Sequence, residues 1–314
     1  MSIWYFSMIF AIAIWSLLFN IKVFAILLVV CAFYFGCAIY YQVRYPNSID
    51  QKIRLLAFDD SGDPTLYLSI DIDLTNVDSF LKSYNENRAS EKLTYSHFGV
   101  SSLAKSLSAL DLNGKIAFGA YSSDNRVDMG LLVDVNGSNL NVLLMNDCDK
   151  KSLPEICSFF NNKIKLAKLQ KIKQINAQNK LMSFLPSYVS KIIMSFGLFI
   201  LSDLGWHLYP LTPKQSPRIH AAVSNISVSS IHHVYTALAA ITKLEVIAVL
   251  AAPLVKPLVV DGKIEMRRTM TIDLTIDARF INVEQSAALA SKIKQYWEDP
   301  SNFIHLLNNH ETSN

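Results

Sequence analysis

Two uncharged apolar runs, residues 3–19 and 23–41, are separated only by Asn20, Ile21 and Lys22, and they constrain this chain more than any other feature. A helix rises about 1.5 Å per residue, so each run is about long enough to cross the ~30 Å hydrocarbon core of a bilayer. Together they predict a transmembrane helical hairpin over residues 1–45, with a single tilted or re-entrant segment as the alternative. No basic side chain precedes the first run and a second run follows it, which argues against a cleaved signal peptide. Tyr40, Tyr41 and Tyr45 fall where an interfacial aromatic belt belongs, and Arg44, Lys52 and Arg54 come next. By the positive-inside rule both ends of the hairpin then face the cytoplasm, although Lys22 on the opposite side reduces the asymmetry.

The remainder reads as a globular domain over residues 50–314. The chain is 51% hydrophobic and 18% charged, a composition that excludes intrinsic disorder and agrees with membrane contact. A formal charge of +3 gives no basis for nucleic-acid binding. Cys31 and Cys37 lie in the second apolar run, and Cys148 and Cys157 lack metal-ligand spacing, so all four read as reduced thiols and no metal site is expected.

The sequence LYLSIDIDL at 66–74 alternates as a strand, and 77–84 reads as a helix with Asn76 as its cap. Helical spacing covers 96–110, and Asn113-Gly114 marks a turn. Residues 128–135 and 139–145 flank Asn136-Gly137 as a hairpin, and Ser152-Leu-Pro-Glu155 opens a helix with capping-box spacing. Strands are expected at 245–250 and 265–276 around an Asp261-Gly262 turn, with a closing amphipathic helix at 283–297.

No acidic residue occurs from 158 to 202, while Lys163, Lys165, Lys168, Lys171, Lys173, Lys180 and Lys191 supply positive charge. The apolar sequence that follows this basic helix is broken by Pro186 and Gly197. The insertion, about 160–198, therefore reads as a surface resting on anionic lipid, the alternative being a solvated helix before a buried strand.

In this order the pieces resemble the catalytic domain of the dihydrolipoamide acyltransferases of 2-oxoacid dehydrogenase complexes and their relative chloramphenicol acetyltransferase. The similarity runs from about Leu66 to Ile304. It is carried by IDIDLT, KLTYSHFGVSSLAKSL, VDMGLLVDVNGSNLNVLLMNDCDKKSLPEICSFFNNKI, ILSDLG, VVDGKIEMRRTMTIDLTIDARF and a helix ending WEDP. The resemblance implies an α/β sandwich with a mixed sheet and helices on one side, assembled as a homotrimer with a ligand channel at each subunit interface. Coenzyme A thioester would be the substrate, with no covalently bound cofactor. The family chemistry implies a His general base in His-x-x-x-Asp-Gly and a Ser or Thr hydroxyl that stabilises the tetrahedral oxyanion.

Transferred to this chain, the His falls on Ala278, the Asp on Asn282 and the Gly on Val283, while Asp277 and Arg279 match the residues flanking the His. Alanine cannot move a proton. The oxyanion donor would be Ser202, which also reads as a serine capping its own turn. The sequence IHHVY resembles a His pair in a membrane-attached branch of the family, making His233 or His232 a candidate replacement base; two hydrogen-bonded loop histidines are the simpler reading. His207 and His220 are weaker candidates. With the hairpin in the place of a lipoyl-bearing domain, two functions follow. One is a catalytically degenerate scaffold that binds an acyl ligand or a membrane-complex partner protein. The other is an active acyltransferase moving an acyl group from a thioester to a lipid-like acceptor. In both, the chain sits in a bacterial inner membrane, with lipid as a partner and the domain cytoplasmic. No P-loop, dinucleotide fingerprint or metal-ligand cluster supports another chemistry.

Overall fold

The computed structural model describes residues 14, 21–45, 64–86, 91–134, 140–169, 196–197, 200, 204, 219–238 and 244–301. They fall into two compact units: Met1–Pro64 with Gly114–Ser123 and Ala278–Phe280, and Thr65–Asn113 with Asp124–Asp277 and Ile281–Asn314.

In the first unit, α1 (Ile21–Arg44) is 24 residues long. It runs through Ile21 and Lys22, where the sequence predicts a turn; neither residue breaks a helix. The hairpin β2 (Gly114–Ala117) and β3 (Ala120–Ser123) turns at Phe118 and Gly119, both at positive φ. A left-handed Phe is strained, and the Phe118 ring finds compensating contacts 5.3 Å from Tyr34 and 5.4 Å from Tyr41. Lys115 lies over the Tyr41 ring. Counting only the described residues, no helix is long and apolar enough to cross a membrane. The expected two-span hairpin is thus not an established part of the fold, and residues 3–19, apart from Ile14, lie outside the described residues.

The second unit is a seven-stranded mixed sheet. Its strands are β1 (Thr65–Asp73), β4 (Met129–Asp134), β5 (Leu140–Met145), β6 (Ala221–Asn225), β7 (Val246–Leu250), β8 (Leu254–Val260) and β9 (Lys263–Asp277). The order is β1-β9-β7-β6-β4-β5, with β8 also paired to β9. β4, β6 and β7 run parallel and the other pairs antiparallel. The helices are α2 (Thr75–Glu86), α3 (Tyr95–Ala109), α4 (Leu153–Leu169) and α5 (Val283–Glu298).

Strand alternation divides β9 into two faces. Met270, Ile272, Leu274 and Ile276 are buried on one, and Thr271, Asp273, Thr275 and Asp277 on the other. The first faces α3: a Cβ at Gly99 would lie 3.1 Å from Leu250, the cross-strand partner of Ile272. Trp297 of α5 is fully buried beside Phe98, ring centroids 5.0 Å apart, and its Nε1–H donates to Ser102 Oγ at 3.0 Å, joining α5 to α3. On the opposite face a smaller core of Ile219, Ala222, Leu244, Ile247 and Val249 is packed by Val234 and Leu238 from the segment 226–238.

The Ser152–Glu155 capping box forms as the sequence predicts, with the Ser152 N–H 2.8 Å from Glu155 Oε2. Two local expectations are corrected. The α2 start is held by Asp73, whose Oδ1 accepts from both Thr75 N–H and Oγ1–H, while Asn76 donates to the Glu298 carbonyl. The turn expected at Asn113-Gly114 sits instead at Asp111, in the left-handed conformation that a short polar side chain tolerates, and Asn113 bonds the Asp124 and Arg126 carbonyls. Cys31, Cys37, Cys148 and Cys157 are free thiols.

Candidate functional site

The polar face of β9 and β1 brings acidic and hydroxyl groups next to an imidazole. Asp273 has no exposed side-chain surface, and it is paired across the ladder with Ser69. Oδ1 accepts the Ser69 hydroxyl at 2.5 Å and lies 3.5 Å from His233 Nδ1, and Oδ2 accepts the Val234 N–H at 2.8 Å. With the Ser69 proton given to Asp273, Tyr235 O–H donates to Ser69 Oγ at 2.6 Å. Tyr235 also meets Tyr67 edge to face, centroids 5.0 Å apart. One register step away, Asp71 accepts the Thr271 hydroxyl at 2.7 Å and pairs with Lys256 at 3.1 Å. Burial pushes the Asp71 carboxyl up, but the Thr271 bond, the Lys256 bond and charge, and the charge of His233 together hold it below its ordinary value.

The sequence candidates therefore separate. His233 joins this cluster with 57% of its side chain exposed. His232 does not: its Nδ1–H donates to the Ala252 carbonyl at 3.1 Å, and with Ala252 N–H to Ile231 O at 2.9 Å it fastens the loop. His220 is buried; Nδ1 accepts the Asp128 N–H at 3.0 Å and Nε2 faces Asp124 at 3.6 Å, a structural clasp. Ser202 and His207 lie outside the described residues.

Ala278 directly follows β9 and is buried; its N–H donates to the Pro64 carbonyl at 2.8 Å. Asn282 is the N-cap of α5, its Oδ1 accepting the Gln285 N–H at 2.7 Å while Gln285 Oε1 accepts the Asn282 N–H at 3.0 Å. Val283 is the first residue of α5 and is exposed, so this helical position needs no glycine.

Sequence reasoning missed Asp273 and Ser69. A signal was present in TMTIDLTID: period-2 alternation places Asp273 with threonines on one face, and a carboxylate there must have partners.

The family model of the 2-oxoacid dehydrogenases acyltransferase catalytic domain matches residues 57–183 and 210–305. The chain belongs to this family. Among solved structures it is similar to the cubic core of the pyruvate dehydrogenase multienzyme complex, with a TM-score of 0.58 and 17% identity over 81% of this chain and 88% of that one. It is also similar to the dihydrolipoamide acetyltransferase of Azotobacter vinelandii, with a TM-score of 0.57 and 16% identity over 81% and 88%. That structure was used to study the roles of a serine, a histidine and an asparagine in the catalytic mechanism, the asparagine four positions after the histidine. A probable dihydrolipoamide acetyltransferase of Listeria monocytogenes gives a TM-score of 0.56 and 15% identity over 81% and 92%. These identities show the fold alone: the mixed-sheet acyltransferase core. No curated protein is matched by sequence.

Proposed function

We propose that this family member is a membrane-tethered, trimeric acyltransferase-fold protein that binds an acyl thioester of coenzyme A and has no general base at the inherited position. The observation that carries the reading is Ala278, a buried methyl group where the family motif calls for an imidazole. Asn282 is not a second loss, because the Azotobacter relative has an asparagine under study at the same four-residue spacing. At the inherited position the domain is a scaffold, suited to holding an acyl ligand or a partner protein.

Tethering is supported by α1, whose Val29, Val30, Ile39 and Val43 are exposed and whose last turn ends in Arg44. The basic insertion would add a second lipid contact, and two signals are what stable anchoring requires. The trimer rests on relatives that form multienzyme cores.

Adding acetyl-CoA or palmitoyl-CoA to the detergent-purified chain should raise its Tm, since a ligand bound only by the native state stabilises it. No shift with any acyl-CoA removes the reading. Mass measurement in detergent should give three copies, and the domain truncated before Asp50 should still sediment with anionic liposomes at low salt. A second reading, an active acyltransferase with a lipid-like acceptor, is favoured by the exposed imidazole of His233.

A further inference from the structure

A carboxylate with no solvent exposure in the middle of a strand is destabilising unless donors meet its lone pairs. Asp273 has two close donors, the Ser69 hydroxyl and the Val234 N–H, and both also fix the loop that carries His233. The Val234 bond holds the residue after His233, and the Tyr235 hydroxyl on Ser69 holds the next one. These tethers place His233 beside Asp273, with Nδ1 at 3.5 Å from Oδ1.

A carboxylate only accepts, so the neutral form of a ring that turns Nδ1 to Asp273 has its proton on Nδ1 and its lone pair on Nε2. More than half of the side chain is open to solvent, and Nε2 lies on the edge away from Asp273. Tyr67 and Tyr235, both about half exposed, pack edge to face, and Tyr235 lies two residues after His233. An imidazole beside a buried carboxylate, with its second nitrogen unbonded among the described residues, is the arrangement a general base needs, and such contacts are commonly long until substrate binds.

We infer that His233 and Asp273 form a second catalytic site, away from the inherited motif, with His233 Nε2 as general base toward a thiol or hydroxyl acceptor. The inference rests on the acyl-thioester reading above. The acceptor's S–H or O–H bond breaks, its proton passes to Nε2, and its electron pair forms a bond to the thioester carbonyl carbon. Collapse of the tetrahedral adduct restores C=O and breaks the C–S bond. Coenzyme A leaves as a thiolate and takes the proton back from Nε2. No oxidant or reductant is involved. Asp273 is a positioning residue that holds the tautomer.

The test uses the full chain in detergent, with acetyl-CoA and palmitoyl-CoA as donors and dihydrolipoamide and a monoacylglycerol as thiol and hydroxyl acceptors. Acyl product is read by chromatography, and acyl-CoA binding separately by thermal shift. His233→Ala is expected to lower kcat by about 10²–10⁴-fold with donor binding unchanged, because the ring is exposed and its removal leaves the core intact. Asp273→Asn is expected to lower kcat while leaving KM for the donor within a few-fold. If it does not fold, Ser69→Ala, which removes one Asp273 partner, should show a smaller drop in the same quantity. A wild type that binds acyl-CoA but transfers to neither acceptor overturns the inference and leaves the binding reading standing. Undiminished transfer by His233→Ala does the same. Absence of acyl-CoA binding overturns both.

Discussion

His97 should make this domain acid-sensitive in a defined window. It is the N3 residue of α3, and its Nδ1 accepts the Thr94 N–H at 3.3 Å in a capping box. The residue is 2% exposed, and Nε2 has no hydrogen-bond partner among the described residues. Burial lowers its pKa from the ordinary 6.5 to about 4. The native state therefore keeps His97 neutral where the unfolded chain protonates it. Below pH 6.5 the unfolded state binds the extra proton, so stability falls as pH falls, and the loss is complete near pH 4. The full window is worth about 3 kcal/mol, of which about 2 kcal/mol is already lost at pH 5. For a domain of this size 2 kcal/mol corresponds to a Tm shift of about 4–8 °C. His97→Gln preserves a neutral side-chain acceptor at N3, which capping boxes favour, and removes the titration. Carboxylates whose pKa values are depressed, such as Asp71 and Glu155, lose stability in acid in both proteins and cancel in the difference. Thermal unfolding of wild type and His97→Gln at pH 7.5, 6, 5 and 4.5 should show the wild type losing more on acidification. Parallel Tm-against-pH curves would refute the argument that the buried ring is held neutral.

Trp297→Ala should destabilise the domain by about 3–5 kcal/mol in urea titration, because it empties a fully buried site and removes the Nε1 donor to Ser102. Asn282→Ala should cost about 0.5–2 kcal/mol through loss of the α5 cap, while Asn282→Asp should be near neutral; equal effects of the two would mean that the residue does not act as a cap. Thr271→Val should raise the Asp71 titration point toward the ordinary carboxylate value in a side-chain NMR titration, since it deletes a hydrogen bond to the charged form. An unchanged Asp71 titration would show that the Lys256 and His233 charges hold it down without the Thr271 bond.

The elements legible in the sequence are those with a local cause. β1, the β4–β5 pair, α3, β7, β9 and α5 each have alternating, continuously apolar or helical spacing next to a recognisable turn or cap, and their observed limits fall within a residue or two of the expected ones. β6 was missed because AAVSN has neither β-branched density nor alternation; it is a strand because β4 and β7 bond both its edges. β8, reading LVKPLVV, was missed because Pro257 counts against a strand in isolation, and an exposed hairpin arm tolerates it. Asn76 has the spacing of a cap, whereas Asp73 three residues earlier reaches the same helix start and makes the bond.

The site followed the same division. That position 278 holds an alanine is readable from the chain alone. The meaning of His233 was not readable, because its partner lies 40 residues later and on another element. Sequence offered two adjacent histidines with no basis for choosing between them. The structure separates them by what each Nδ1 meets: a loop carbonyl for His232, which spends the ring on tethering, and a buried carboxylate for His233, which leaves the far nitrogen free. The same logic explains why Asn282 and Val283 reveal little about catalysis. Both begin α5, where a cap and an ordinary helical φ suffice for folding, so their identities are set by the helix whether or not chemistry occurs nearby. Asp273 is different. Nothing in the fold of β9 requires a carboxylate between Ile272 and Leu274, and a threonine like its neighbours Thr271 and Thr275 would satisfy the strand without the cost of burying charge. Its presence, together with two donors and an imidazole brought from two other segments, is a cost for which the sheet alone gives no return, and on the inference above positioning His233 supplies one.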